Sequence, residues 1–346
     1  MSTDIRILWI DDDCENHKED AKNLEHAMPS LSIEIIHPTK LEEKLKLEQK
    51  NMPDLYLVDY YLNEKPSSAG GEKYPDRGIT VAGKLKENYP NFPVYGVSHR
   101  DDKGIFGNES QAANSVFDKI LTFKILQDNG ANILFWDAKD YEKIRNIRKE
   151  NIDDLFLILK VPDSIKCRIQ LVLPDTLRKG LGTKKEGNSI AFGRWVFEKF
   201  LQTPGFLYDD LHAATHLGMN EAAFKRISQD KKYEKKFKKI KYTGIFSKTS
   251  QDLWWVSELN NLVFSSSRAK KIDHNMTWEI APILFNISDD EYSKCIVCNE
   301  PYPELVGINR EDEKNIAPIH YRCSETYPFK KQELFFDEIR GFNLTP

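Results

Sequence analysis

Asp11, Asp12, Asp59, Ser98 and Lys119 each stand at the end of a short apolar stretch, and together they carry three carboxylates, a hydroxyl and an ammonium group. Carboxylates brought together repel unless a hard divalent cation sits among them, and an all-oxygen ligand set suits Mg2+. With that charge neutralised, the Asp59 carboxylate can attack a phosphoryl group and form an acyl phosphate. Mg2+ and the Lys119 ammonium would offset charge building on the phosphoryl oxygens, and the Ser98 hydroxyl would bond to the phosphate.

A second constellation lies late in the chain, where Cys295 and Cys298 are followed by His320 and Cys323. Two thiolates two residues apart can grip one Zn2+, and a His/Cys pair of the same spacing completes four ligands. A four-ligand site leaves no open position for a reactive water, so the zinc would be structural. The segment around Pro301, Pro303 and Gly307 suits a knuckle followed by a loop, similar to a treble-clef or zinc-ribbon module. Nucleases of the His-Asn-His type use such modules, but no paired catalytic histidine accompanies these ligands.

The first constellation requires strands ending at one edge of a sheet. Ile5–Ile10 reads as a buried strand, Lys18–Met28 as a helix, Ser32–Ile36 as a strand and Lys40–Gln49 as a helix. Asp54–Leu62, opened by Pro53, holds the Asp59 strand. Gly78–Asn88 follows as a helix, Pro93–Ser98 as a fourth strand, and Ser115–Asp118 as the start of a fifth, with Lys119 at its end. This alternation predicts an α/β, doubly wound, five-stranded parallel sheet with right-handed crossovers. In such sheets ligands bind beyond the carboxyl ends of the strands.

Residues 4 to about 126 resemble a response-regulator receiver domain, a flavodoxin-like fold. The resemblance rests on an acidic pair after strand one, Asp59 after strand three, Ser98 after strand four and Lys119 after strand five. Phe92-Pro93-Val94 and Gly78 add to it. It implies phosphorylation of Asp59 by a sensor histidine kinase, with Asp11, Asp12 and Asp59 holding Mg2+. The chain departs from the family in a long Asn63–Arg77 loop, in Ile120 where a proline is usual, and in Val116 where an aromatic is common. A degenerate receiver that only docks partners is the alternative.

Beyond the receiver (1–127) we place a connector (128–189), a mainly helical output region (190–285) and a zinc-binding module (286–346). In the connector, Asn132–Trp136 fits a strand or a helix, Asp153–Lys160 and Cys167–Leu173 stay unplaced, and Cys167 reads as a core residue. Ala214, Gly218 and Phe224 have helix-turn-helix spacing, with Gly218 suited to a positive φ. Lysines follow from Lys225 to Lys248, and Lys241–Phe246 suits a wing. Duplex DNA is one expected partner, read by Asn220, Lys225 and Arg226, with phosphate contacts from Lys235, Lys238 and Lys239. Two packed helices with a solvated lysine face, docking a protein partner, is the other. His212 and His216 lie one turn apart, but no third metal ligand is apparent.

With 50 Lys and Arg against 54 Asp and Glu, the net charge of −4 excludes a global attraction to nucleic acid, so any DNA binding must be local. Five Cys, three of them clustered, argue against a disulfide framework. No leader and no apolar run of membrane-spanning length is expected, which reads as cytoplasmic with no membrane partner. The resulting expectation is a phosphorylation-responsive regulator acting through DNA, with no enzyme activity beyond the receiver's own phosphoryl chemistry. The alternative is an adaptor or sensor in a multi-component system, such as cellular defence, without DNA binding.

Overall fold

Ile5–Ile10 (β1), Leu31–Ile36 (β2), Leu55–Asp59 (β3), Val94–Ser98 (β4) and Lys119–Thr122 (β5) form one parallel sheet in the order β2-β1-β3-β4-β5. The computed structural model describes residues 4–47, 52–62, 77–98, 116–148, 151–180, 188–265, 276–295, 298–301, 305–308, 318–320 and 323. At 305–308, 319 and 320 the backbone alone is described. The chain forms two compact units, the first of residues 1–161, 166–197 and 244–250 and the second of 162–165, 198–243 and 251–346.

In the first unit β3 and β4 are buried at every position because helices cover both faces, which explains their unbroken apolar runs. Lys18–Ala27 (α1) and Phe123–Arg145 (α4) pack on one face. Leu41–Leu47 (α2) and Gly78–Asn88 (α3) supply Leu41, Leu45, Val81, Ala82 and Leu85 to the other, against Leu8, Ile10, Tyr56 and Val58. A fully buried Leu or Ile of this kind contributes about 1.5–3 kcal/mol.

The strand and helix spacing predicted a doubly wound parallel sheet, and the sheet order is that of the flavodoxin-like form which the resemblance implied. The fifth strand differs in position: it starts at Lys119 instead of ending there. Asn132–Trp136 is the middle of α4, and the boundary expected at residue 127 falls inside this helix. The helix starts at Thr122, whose hydroxyl accepts a bond from the Ile125 amide, and ends with Lys143 and Arg145 beside its negative dipole end.

Ile152–Leu159 (α5) and Lys166–Val172 (α6) account for the two apolar runs left unplaced, and Asp175–Gly180 (α7) follows them. Cys167 is exposed, not core, because α6 buries Ile169 alone. Asn188–Trp195 (α8) continues as a π-helical turn through Phe200, and its residues up to Phe197 belong to the first unit. The long Asn63–Arg77 loop, apart from Arg77, lies outside the described residues.

The second unit is mainly helical: Asp210–His216 (α9), Glu221–Gln229 (α10), Glu234–Ile240 (α11), Val256–Phe264 (α12) and Thr277–Phe285 (α13). Leu207–Tyr208 (β6) and Trp254–Trp255 (β7) pair antiparallel, as do Leu305–Ile308 (β8) and Pro318–His320 (β9). Phe224 meets Trp254 and Phe237 edge to face at 5.3 and 5.6 Å in the middle of the helical core. Lys241–Phe246 forms no wing hairpin: Lys241 makes an isolated bridge with Trp254, and Gly244–Ser250 belongs to the first unit.

Candidate functional site

β1 and β3 run side by side with Ile10 opposite Val58, so Asp11 and Asp59 emerge at the same level of the carboxyl edge. One carboxylate oxygen from each of Asp11, Asp12 and Asp59 lies within 4.8 Å of the others. Around an octahedral Mg2+ with bonds of about 2.1 Å, ligand oxygens stand about 3 to 4 Å apart. Small side-chain rotations close that gap. Asp11 Oδ1 accepts the Asp13 amide at 2.8 Å, which leaves Oδ2 directed elsewhere. Asp12 Oδ2 is buried without a hydrogen-bond partner. Burial, followed by the Asp11 charge, pushes the Asp12 carboxyl up to about 6. A buried, crowded carboxylate set of this kind fits a divalent cation.

Gly78 holds the Asp59 backbone in place. A Cβ at Gly78 would stand 2.0 Å from the Asp59 carbonyl oxygen and 2.9 Å from Tyr60 Cα, so α3 can start here only from glycine. The Tyr60 amide extends the pairing with β4 by donating to the Val97 carbonyl at 2.8 Å. Ser98, fully buried, stands one position past Val97, the register partner of Asp59. The structure therefore brings Asp11, Asp12, Asp59 and Ser98 to one edge.

Lys119 is not at that edge. It pairs with Tyr95, and the residue opposite Ser98 is Thr122. Lys119 is thus three residues nearer the amino end of the sheet, about 10 Å away at the strand rise of ~3.3 Å per residue. Its ammonium bonds Asp137 Oδ2 on α4 at 2.7 Å and lies 4.4 Å from the centre of the Phe197 ring. The shift arises because Phe117 and Asp118 precede the strand. Phe117 packs in the core beside Tyr60, and the buried Asp118 carboxylate accepts the Val94 amide at 2.8 Å, Lys86 Nζ at 2.6 Å and Arg194 Nε at 2.7 Å.

Sequence reasoning passed over His17, Asp137 and Asp118. His17 is buried, stacks on Trp9 with ring centres 5.1 Å apart, donates or accepts with Asp20 at 3.0 Å and stands 3.7 Å from Asp11 Oδ2. Its single signal was its place six residues after Asp11. Asp137 and Asp118 are buried acids within apolar stretches, a position acids take only when paired.

In the second unit Gly218 has φ +72° in the turn between α9 and α10, as its spacing suggested. The residues expected to read DNA are engaged within the chain. Asn220 caps α10 by accepting the Ala223 amide and donates to the Asp290 carbonyl. Arg226 pairs with Glu291 at 2.5 Å, Lys225 with Glu221 at 2.5 Å and Lys238 with Glu234 at 2.6 Å. Lys235 and Lys239 are exposed. His212 Nδ1 bonds Asp209 and His216 Nε2 bonds Asn260, and among the described residues neither belongs to a group of three or more potential metal ligands.

The thiol sulfurs of Cys295, Cys298 and Cys323 also lie within 4.8 Å of one another. The Asn299 amide donates to the Cys295 carbonyl at 2.9 Å with Asn299 at φ +63°, a tight turn that aims both thiols of the pair the same way. Burial, then hydrogen bonding with Cys298 and Cys295, raises the Cys323 thiol to about 11, so a metal would displace protons here. His320 ends β9 opposite Leu305, and its imidazole lies outside the described residues.

No family model matches the sequence, and no curated protein matches it. Among solved structures it is similar to a CheY-like response regulator receiver domain protein from Methanospirillum hungatei JF-1, at 19% identity over 40% of this chain and 97% of that one, TM-score 0.30. It is similar to a response regulator receiver domain protein from Clostridium thermocellum at 18% identity, 40% and 97% coverage and TM-score 0.29. It is also similar to the signal receiver domain of a DNA binding response regulator protein from Colwellia psychrerythraea 34H, at 18% identity, 38% and 99% coverage and TM-score 0.28. Among the described residues no helix is long and apolar enough to cross a membrane.

Proposed function

We propose that the first unit is a Mg2+-dependent receiver whose Asp59 accepts a phosphoryl group from a sensor histidine kinase. The observation that carries this reading is the Asp11, Asp12 and Asp59 cluster at the carboxyl edge of a β2-β1-β3-β4-β5 sheet. Asp11, Asp12 and Asp59 would hold Mg2+, which supplies charge neutralisation for the carboxylates and the phosphoryl oxygens. An Asp59 carboxylate oxygen attacks phosphorus, the bond from phosphorus to the donor histidine breaks, and the imidazole keeps the electron pair. The Ser98 hydroxyl then donates to a phosphoryl oxygen and draws the end of β4 toward Asp59. Lys119 has no part in this scheme.

For the second unit we propose a zinc ion on Cys295, Cys298 and Cys323 as a structural element, with His320 as fourth ligand. The output is phosphorylation-dependent binding, to DNA through α10 or to a protein through the lysine-bearing face. The engagement of Asn220 and Arg226 by Asp290 and Glu291 favours the protein reading. The test is duplex-DNA binding by fluorescence anisotropy, with and without Mg2+ and beryllofluoride, on wild type and Asp59→Asn. DNA binding that needs beryllofluoride and Asp59 supports a DNA-binding regulator. Beryllofluoride uptake without DNA binding assigns the output to a protein. Uptake by Asp59→Asn equal to wild type removes Asp59 as the acceptor.

A further inference from the structure

We infer that the metal held by Cys295, Cys298 and Cys323 fastens a strap, Ser288–Cys295, across the turn between α9 and α10, and so sets the geometry of that helix pair. The inference rests on the zinc assignment above, and adds a consequence that the assignment alone does not carry.

The strap touches the turn at successive residues. The Ser293 amide donates to the Gly218 carbonyl at 3.2 Å, Met219 and Tyr292 form an antiparallel bridge, and the Asn220 amide donates to the Glu291 carbonyl at 2.8 Å. Asn220 adds a side-chain bond to the Asp290 carbonyl at 3.2 Å, and Arg226 on α10 pairs with Glu291. Four of these five contacts fall on Gly218, Met219 and Asn220, the turn and the N-cap of α10, and the fifth on the exposed side of α10 itself. The turn has little room to relax, since a Cβ at Gly218 would stand 2.5 Å from the Trp278 carbonyl oxygen.

The strap is anchored at both ends. Its upstream end is locked by a capping box in which Ser288 and Glu291 bond reciprocally. Downstream, Cys295 is buried two residues past Ser293, and its backbone is held by the Glu300 carbonyl and the Asn299 amide. Both partners belong to the knuckle of the metal site. Three sulfurs within 4.8 Å leave Cys295 as the one ligand joining the strap to the metal. Zinc bonds of about 2.3 Å would fix that sulfur, and with it the register of Tyr292 and Ser293 against Met219 and Gly218.

The experiment is hydrogen–deuterium exchange on the full chain, reduced and loaded with zinc, before and after removal of metal by a chelator, with zinc content measured in parallel. We expect one zinc per chain. On its removal, exchange at Gly218–Asn220 and at Tyr292–Ser293 should quicken by about tenfold or more, while amides of β1 and β3 are unchanged. Zinc should restore protection and Mg2+ should not. Zinc bound but exchange at the turn unaltered by its removal overturns the strap and leaves the zinc assignment standing. No zinc bound by the reduced protein overturns both. Chelation of the wild type needs no variant that folds. Cys298→Ser, which breaks the site without touching the strap, should reproduce the effect.

Discussion

Lys119 Nζ stands 2.7 Å from Asp137 Oδ2, and the same oxygen accepts the Tyr95 hydroxyl at 2.8 Å. The other oxygen of Asp137 accepts the Thr249 hydroxyl at 2.5 Å. A carboxylate with no exposed surface is thereby given three donors from β4, β5 and the 244–250 segment, on the sheet face covered by α4. This ion pair is a structural feature of the core, and it holds Lys119 away from the proposed phosphoryl site.

Lys119→Met should therefore lower stability and spare ligand binding. Leaving the buried Asp137 without its cation costs about 3–5 kcal/mol, read as a lower midpoint of urea unfolding. Mg2+-dependent beryllofluoride binding at low temperature should match wild type. Loss of that binding in a folded variant would return Lys119 to the edge.

Gly78→Ala should damage the site from behind. The added Cβ would meet the Asp59 carbonyl at 2.0 Å, and neither α3 nor β3 can yield without moving Asp59. Mg2+ affinity should fall at least about tenfold, since a ligand displaced by even a fraction of an ångström spoils near-octahedral geometry. Gly83→Ala, with open space around its Cβ, is the control and should leave affinity unchanged or slightly stabilise α3. Equal affinities for both variants would refute the packing argument.

How much of this was legible depends on what surrounds each element. β1, β3 and β4 were readable because burial on both faces demands unbroken apolar runs, and the acids that end them mark the edge. The start of β5 was misread because Val116 and Phe117 are apolar for packing, while the strand begins after a buried acid that apolarity alone does not reveal. Helix α4 lacked a clean period because it is buried on more than one side, from Leu126 to Ile144, with Asp137 and Asp140 inside. Local rules served better at turns: Gly218 was found by the positive φ its turn requires. The pairing of Arg226 with Glu291 spans 65 residues, and no local pattern carries it.

Stability should also carry a specific acid limb. Arg148 grips Asp154 with Nε at 2.8 Å, a terminal guanidinium nitrogen at 2.6 Å and its backbone amide at 3.0 Å, holding the carboxyl down at about 2. A depressed carboxyl stabilises the fold above its unfolded value of 3.8, and this is lost as pH falls through about 2. The gap in melting temperature between wild type and Asp154→Asn should be widest from pH 5 to 7 and close toward pH 2. A gap that does not change with pH would sink this assignment.

Glu291→Ala separates the two output readings. The substitution frees the Arg226 guanidinium at the exposed side of α10 and removes a negative charge beside Asn220. If α10 is a DNA-reading helix restrained by Glu291, affinity for duplex DNA should rise. Its logarithmic dependence on salt should then steepen by about 0.9 for the added phosphate contact. Lys238→Glu with Lys239→Glu should reverse that gain. If the lysine-bearing face docks a protein, neither variant should bind DNA more tightly than the wild type, and the charge reversal should instead weaken capture of that partner. The variant must be compared with zinc bound, because Glu291 also closes the capping box on Ser288. Unchanged exchange at Ser288–Glu291 in Glu291→Ala would show that the box contributes little, and would leave the Arg226 pair as the group whose loss is being read.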